Sequence, residues 1–262
     1  PPPSVPPRRC VSADAHAMTD LVFPDQQGYA DLATLVRRAR QADPDAAVRL
    51  QVTGAVLRVW VGVLPGTGLL ADGAAVGVRG IELANEDAGG SASEAGALDL
   101  VCASAALSDR FAYDGVGASR LSVPPASTYA AWAGALPAVA GWSSIGAISA
   151  QALIDAARAG IAEIAQGVDA GQAGAAAGSR AVQELRRRVW ARAVPIPTGV
   201  DDGPVNGADD QRPTGFEGVP AGAAFAAYVL GFLPEPSATV RVWRSGRWVR
   251  LQTAVGHVVA RP

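Results

Sequence analysis

Residues 238–262 read Ala-Thr-Val-Arg-Val-Trp-Arg-Ser-Gly-Arg-Trp-Val-Arg-Leu-Gln-Thr-Ala-Val-Gly-His-Val-Val-Ala-Arg-Pro. Val240 and Val242 alternate with Thr239 and Arg241, the period of two expected of a strand with one buried face. A second alternating run starts near Trp248. Between the two, Ser245-Gly246 offers the positive φ that a tight hairpin needs. A third short run follows Val255-Gly256, so the segment predicts a three-stranded β-ribbon. It carries five arginines (241, 244, 247, 250 and 261), two tryptophans and no acid. Trp243 and Trp248 stand in different phase relative to the valines, which predicts that at least one faces away from Val240, Val242 and Val249.

Working outward, three helical patterns precede the ribbon. Residues 149–166 place Leu153, Ala157, Ile161 and Ile164 in one stripe, with Ser149 as N-cap and Gly167 past the end. Residues 179–193 turn Val182, Leu185 and Val189 inward and Arg186, Arg187, Arg188 and Arg192 outward. Residues 221–232 are apolar almost all round, the mark of a centrally buried helix. Three helices followed by a ribbon is the order of a winged helix.

The first half reads differently. Tyr29, Leu32, Val36 and Ala39 share a face of a helix over 25–41, which Asp25 caps and Pro44 ends. Strands are predicted over 48–52, 56–63, 76–83 and 98–102, with Arg58 and Trp60 on one face of the second. A slip of phase at Gly80 predicts a bulge. A helix over 104–111 follows. The Pro- and Gly-containing stretch 112–145 reads as a connector held down by Tyr129, Trp132 and Trp142, with a domain boundary near residue 125.

The fold class expected is therefore α+β: an N-terminal antiparallel four-stranded sheet with flanking helices, and a C-terminal three-helix unit closed by the three-stranded ribbon. The divisions are a Pro-rich disordered tail (1–17), a sheet domain (18–124), a packed linker (125–145) and a helical domain (146–262). The acidic, Gly/Ser-rich loop 85–96 is expected to be mobile.

Composition removes several chemistries. All 22 basic residues are arginine, so neither a phosphate-binding P-loop nor a lysine Schiff base can form. Two cysteines and two histidines, spaced as they are, assemble no disulfide framework and no zinc site. Cys102, at the end of an apolar run, reads as a core residue. Gly66-Thr67-Gly68-Leu69-Leu70-Ala71 matches a dinucleotide fingerprint in letters, but Pro65 and Asp72-Gly73 leave no helix for a pyrophosphate, so a hairpin loop is expected. Asp201-Asp202 and Asp209-Asp210 lack a cation loop's spacing and read as solvated. No apolar run reaches membrane-span length, and a cytoplasmic address is expected. Net charge is −2, unevenly placed: residues 1–144 hold 10 Arg and 14 acids, residues 145–262 hold 12 Arg and 10 acids.

Three functions are weighed, all without a cofactor or metal. The first is a non-enzymatic module with a protein partner, contacted through Trp243, Trp248 and their arginines, since aromatic residues and Arg are enriched at interfaces. The second is nucleic-acid binding, with Arg186, Arg187, Arg244, Arg247 and Arg250 on phosphates. Against it, helix 221–232 has no side chain to read bases. The third is an enzyme with His257 as general base; His16 falls in the tail.

Gly141-Trp142, residues 159–163 (Ala-Gly-Ile-Ala-Glu), residues 219–227 (Val-Pro-Ala-Gly-Ala-Ala-Phe-Ala-Ala) and residues 256–261 (Gly-His-Val-Val-Ala-Arg) together resemble a group of cytosolic actinobacterial (high-GC Gram-positive) proteins. The resemblance implies no activity and no catalytic residue.

Overall fold

Valines and leucines at every second position set the strands, and their pairing sets the molecule. In the computed structural model, residues 20–68, 70–84, 98–115, 117–171, 175–197 and 218–262 are described. The expected tail, the acidic loop 85–96, His16 and the aspartate pairs at 201–202 and 209–210 lie outside them. In chain order the first half holds β1 (Asp20–Val22), α1 (Gln26–Ala42), β2 (Ala47–Thr53), β3 (Val56–Leu64), β4 (Ala75–Glu82), β5 (Asp99–Ala103), α2 (Ser104–Asp114) and β6 (Arg120–Ser122). A 3-10 turn (Ala131–Gly134) leads to β7 (Ser143–Ser149), α3 (Ala150–Gly171), α4 (Ala175–Trp190), β8 (Ala193–Val194) and β9 (Val219–Pro220). Then come α5 (Ala221–Val229), β10 (Thr239–Ser245), β11 (Trp248–Gln252) and β12 (His257–Ala260).

Beside the two-stranded pairs β1-β6 and β8-β9, where a four-stranded sheet and a separate ribbon are expected, there is one large sheet. Its eight strands run β5-β2-β3-β4-β12-β11-β10-β7, every neighbour antiparallel. The expected four-stranded N-terminal sheet and separate winged-helix-like C-terminal unit are thereby overturned. The ribbon does not close over the helices; β12 pairs with β4, His257 opposite Val78 and Ala260 opposite Ala75. Periodicity fixes which residues of a strand face the core, but says nothing of a partner about 180 residues away. A second difference is β7, a strand that straddles the end of the predicted linker at residue 145, hydrogen-bonded to β10. Its Ser-Ser-Ile-Gly-Ala-Ile-Ser run offers few large apolar residues, so alternation was faint. The predicted bulge also moves: Gly80 pairs in register with Arg58, and the irregularity falls on β3 between Gly62 and Leu64.

Helices cover one face of the sheet. Asp25 caps α1 by accepting from the Gly28 N–H at 3.0 Å, and Tyr29, Leu32, Val36 and Ala39 are buried. Ser149 accepts from Ala152 N–H at 3.2 Å to start α3. Leu153, Ala157 and Ile164 of α3 are buried, whereas Ile161 stays 39% exposed. Helix α3 packs on both α5 and α4. Helix α5 lies in the middle, with Ala223, Ala224, Ala226 and Ala227 at 0% exposure; alanines let it approach both sheet and α3 closely. These helices share one core with Val48, Leu50, Leu57, Val59, Val61, Val240, Val242, Val249, Leu251 and Val258.

The other face is crossed by the connector. Trp132 is buried against a second cluster made of Val76, Val78, Trp248 and Val259, with Trp60, Leu136 and Trp142 packed around it. It seats on Gly62, where an added Cβ would run into the indole ring. Tyr129, a second expected anchor, is instead 89% exposed; Thr128 N–H bonds to the Val101 carbonyl.

Gly62→Ala should therefore pry Trp132 off the sheet, with a loss of about 1–3 kcal/mol by overpacking. Urea titration followed by tryptophan fluorescence checks it: a lowered midpoint is expected, and an unchanged one would show that Trp132 is not seated there.

Candidate partner-binding face

Strand register decides which side chains meet on the connector side of the sheet. Ser245 pairs with Trp248, so the hairpin loop is Gly246-Arg247, with Gly246 at φ +54°. The sequence had suggested Ser245-Gly246 as the loop, which would put Trp243 opposite Trp248. The true register puts Trp243 opposite Arg250 and Arg241 opposite Gln252. Next door, Gln252 lies opposite His257, and His257 opposite Val78, which lies opposite Trp60. Arg49, opposite Trp60, completes the row. Both ribbon tryptophans face away from the helix-side valines.

At the centre of this face is Arg250. Its guanidinium carbon lies 4.7 Å from the centre of the Trp142 ring and 5.2 Å from that of Trp243, a cation–π arrangement on two rings. Its buried Nε–H has no hydrogen-bond partner among the described residues, nor do the buried indole N–H groups of Trp243 and Trp60. Burial pushes the Arg250 pKa below its ordinary value. Trp142 is itself fixed by donating to the Ala138 carbonyl at 3.0 Å. His257, half-buried, is pushed down to about 4, first by burial and then by the charges of Arg250 and Arg58.

The acids sharing this face are at its margins. Asp99 is held by Arg49 through two contacts of 2.6 Å, with Gln51 at 3.3 Å, so its pKa lies below the usual carboxylate range. Glu82 ends β4, opposite Val56.

The residues singled out from sequence divide. Trp243, Arg250 and Trp248 share the open face, but Trp248 is only 7% exposed and packs against Val76, Val259 and the Arg261 side chain, whose guanidinium bonds Asp72 at 3.0 Å. It belongs to the core on this side of the sheet. Arg247 occupies the hairpin loop, and Arg244 lies opposite Val249, in phase with the helix-side residues. Arg186 and Arg187 are exposed on α4, which packs on α3 and α5 across the sheet from Trp243. Arg187 is engaged by Glu184 at 2.7 and 3.1 Å. The five arginines thus form no continuous phosphate-tracking strip. Sequence reasoning missed Arg58, Arg241, Gln252 and Trp142 as members of the face. Only the pairing of Arg58 with Trp60 on one side of β3 had signalled it.

His257 makes no hydrogen bond among the described residues, and the charged groups acting on it are cations. Nothing there would orient an imidazole as a general base or raise its basicity. Gly66–Gly68 lies in a loop closed by the Thr67–Asp72 bridge and followed by β4, with no helix to meet a pyrophosphate. Cys102 is fully buried and burial raises its thiol to about 12, which leaves it unreactive.

Residues 17–134 match a domain of unknown function, DUF8010, and residues 137–262 match another, DUF8185. No curated protein matches the chain. Among solved structures it is similar to the Caulobacter crescentus pol III beta, at 16% identity and a TM-score of 0.47, over 93% of this chain and 65% of that one. A second C. crescentus beta sliding clamp structure matches at 13% identity and 0.47, over 92% and 64%. The chain thus spans less than two thirds of the length of either. No helix among the described residues is long and apolar enough to cross a membrane.

The His257 shift has a signed consequence. Its folded pKa of about 4 lies below the ordinary 6.5, so the unfolded chain binds more protons between those values. Stability should then fall as pH drops from about 6.5 to 4, by up to about 3 kcal/mol from this group. Urea titrations of wild type and His257→Gln at pH 7, 5.5 and 4.5 isolate it. The difference between the two proteins should change over that interval; parallel curves would contradict it.

Proposed function

We propose that this protein works as an interaction module, holding a protein partner on the connector side of its sheet. The observation that carries this is Arg250: a half-buried cation, stacked on two rings, with a buried donor that finds no partner among the described residues. A buried unmade hydrogen bond costs roughly 1–3 kcal/mol, and Trp243 adds a second such donor beside it. Folding alone gains nothing from leaving both open. An Arg and aromatic side chains, partly desolvated and surrounded by packed neighbours, have the composition of a binding hot spot. A cytosolic setting is part of the same proposal.

Arg241 provides the test, because it is exposed, shares the face and makes no side-chain hydrogen bond or ion pair among the described residues. Immobilised full chain, Arg241→Glu, and an Arg186→Glu/Arg187→Glu control should be challenged with native lysate. Proteins retained by wild type should be lost from Arg241→Glu and kept by the α4 control. Identical retention by all three would refute the assignment of this face.

A further inference from the structure

We infer that the partner presents an extended acidic segment, whose carboxylates dock along a strip of donors formed by His257, Gln252 and Arg241, with Arg58 one step along the strands on one side of that row and Arg250 one step on the other. This rests on the preceding proposal and names the chemistry of the same face. Arg58 and Arg250 are both half-buried and neither has an acid partner among the described residues. Elsewhere acids are at hand for Arg49, Arg79, Arg120, Arg187, Arg192 and Arg261. The face therefore holds cations that no acid among the described residues neutralises, while Asp99 is already committed to Arg49. The charges of both Arg58 and Arg250 reach His257, which places the three in one neighbourhood.

Size decides between anions. From Arg58 on β3 to Arg241 on β10 there are four strand spacings, about 19 Å at roughly 4.8 Å each. A single phosphate or carboxylate spans a small part of that. About six residues of extended peptide cover it. Nucleic acid is disfavoured by the rings. Stacking of bases needs free aromatic faces, and the Trp142 and Trp243 rings beside the strip are engaged by Arg250. The unpaired Nε–H and the Trp243 indole N–H are donors that a peptide carbonyl or carboxylate accepts.

The experiment is fluorescence anisotropy of the full chain with a labelled octapeptide carrying Glu at alternate positions. The same peptide with Gln for Glu serves as its partner, and inorganic phosphate and an unlabelled single-stranded oligonucleotide as competitors. The Glu peptide should bind and weaken with added salt, and the Gln peptide should bind at least about tenfold more weakly. Arg250→Gln, Arg58→Gln and Arg241→Gln should each weaken the Glu peptide about tenfold, and Arg187→Gln should leave it unchanged. Should Arg250→Gln misfold, Arg58 and Arg241 carry the test. Equal affinity for the two peptides overturns the inference, as does indifference to Arg58 and Arg241. Displacement by millimolar phosphate would assign the site to a single anion instead, and tighter binding of the oligonucleotide to a nucleic acid. No peptide binding, with lysate partners still lost from Arg241→Glu, would sink this inference and leave the preceding proposal standing.

Discussion

The pairing of β4 with β12 is the constraint on which the rest of the molecule depends. Each half of the chain makes a three-stranded meander, β2-β3-β4 and β10-β11-β12, with an extra edge strand outside it, β5 or β7. Read outward from the central pair, both meanders run backward along the chain, but β5 follows its meander in sequence whereas β7 precedes its own. Alone, each would expose a strand edge along its innermost member, a surface that invites other chains. Joined, they make one sheet wide enough for α1, α3 and α5 on one side and the connector on the other. The joint also docks α5, since Gly77 leaves the room that Leu230 fills.

That single sheet determines the character of the open face. Helix-side positions are filled by Val and Leu from both halves, which form one core. The alternate positions point to the connector side, where only a band around Trp132 is covered. Arg58 comes from the first half and Arg241, Arg250 and His257 from the second. Arg58 would not share a surface with the other three without the β4–β12 joint. A one-step change in the ribbon hairpin would separate Arg250 from Trp243, so the loop at Gly246-Arg247 matters to chemistry as well as to topology.

What was legible in the sequence was local. The α1 face of Tyr29, Leu32, Val36 and Ala39, the caps Asp25 and Ser149, and the burial of α5 follow from 3.6-residue periodicity and side-chain oxygens, and all are present. The strands around Val48, Val56 and Val240 follow from period two. What was hidden was every relation between distant segments. β4 and β12 carry no mark of complementarity, and β7 is too poor in large apolar residues to declare itself. At the face, the Arg/Trp composition of the ribbon pointed to Trp243 and Arg250, yet Trp248 is consumed by the core and Trp142 arrives from the connector. Arg186 and Arg187 were grouped with the ribbon only because a winged helix would have brought them near it. The continuous sheet itself lies between them, with α4 on its helix side and Trp243 and Arg250 on the other.

Native-state hydrogen exchange measures the joint directly. The account predicts that amides of residues 75–78 and 257–260 are protected to the level of global unfolding and open together with those of β3 and β11. Fast exchange at these two segments, while each meander stays protected on its own, would contradict a single sheet and the shared face built upon it.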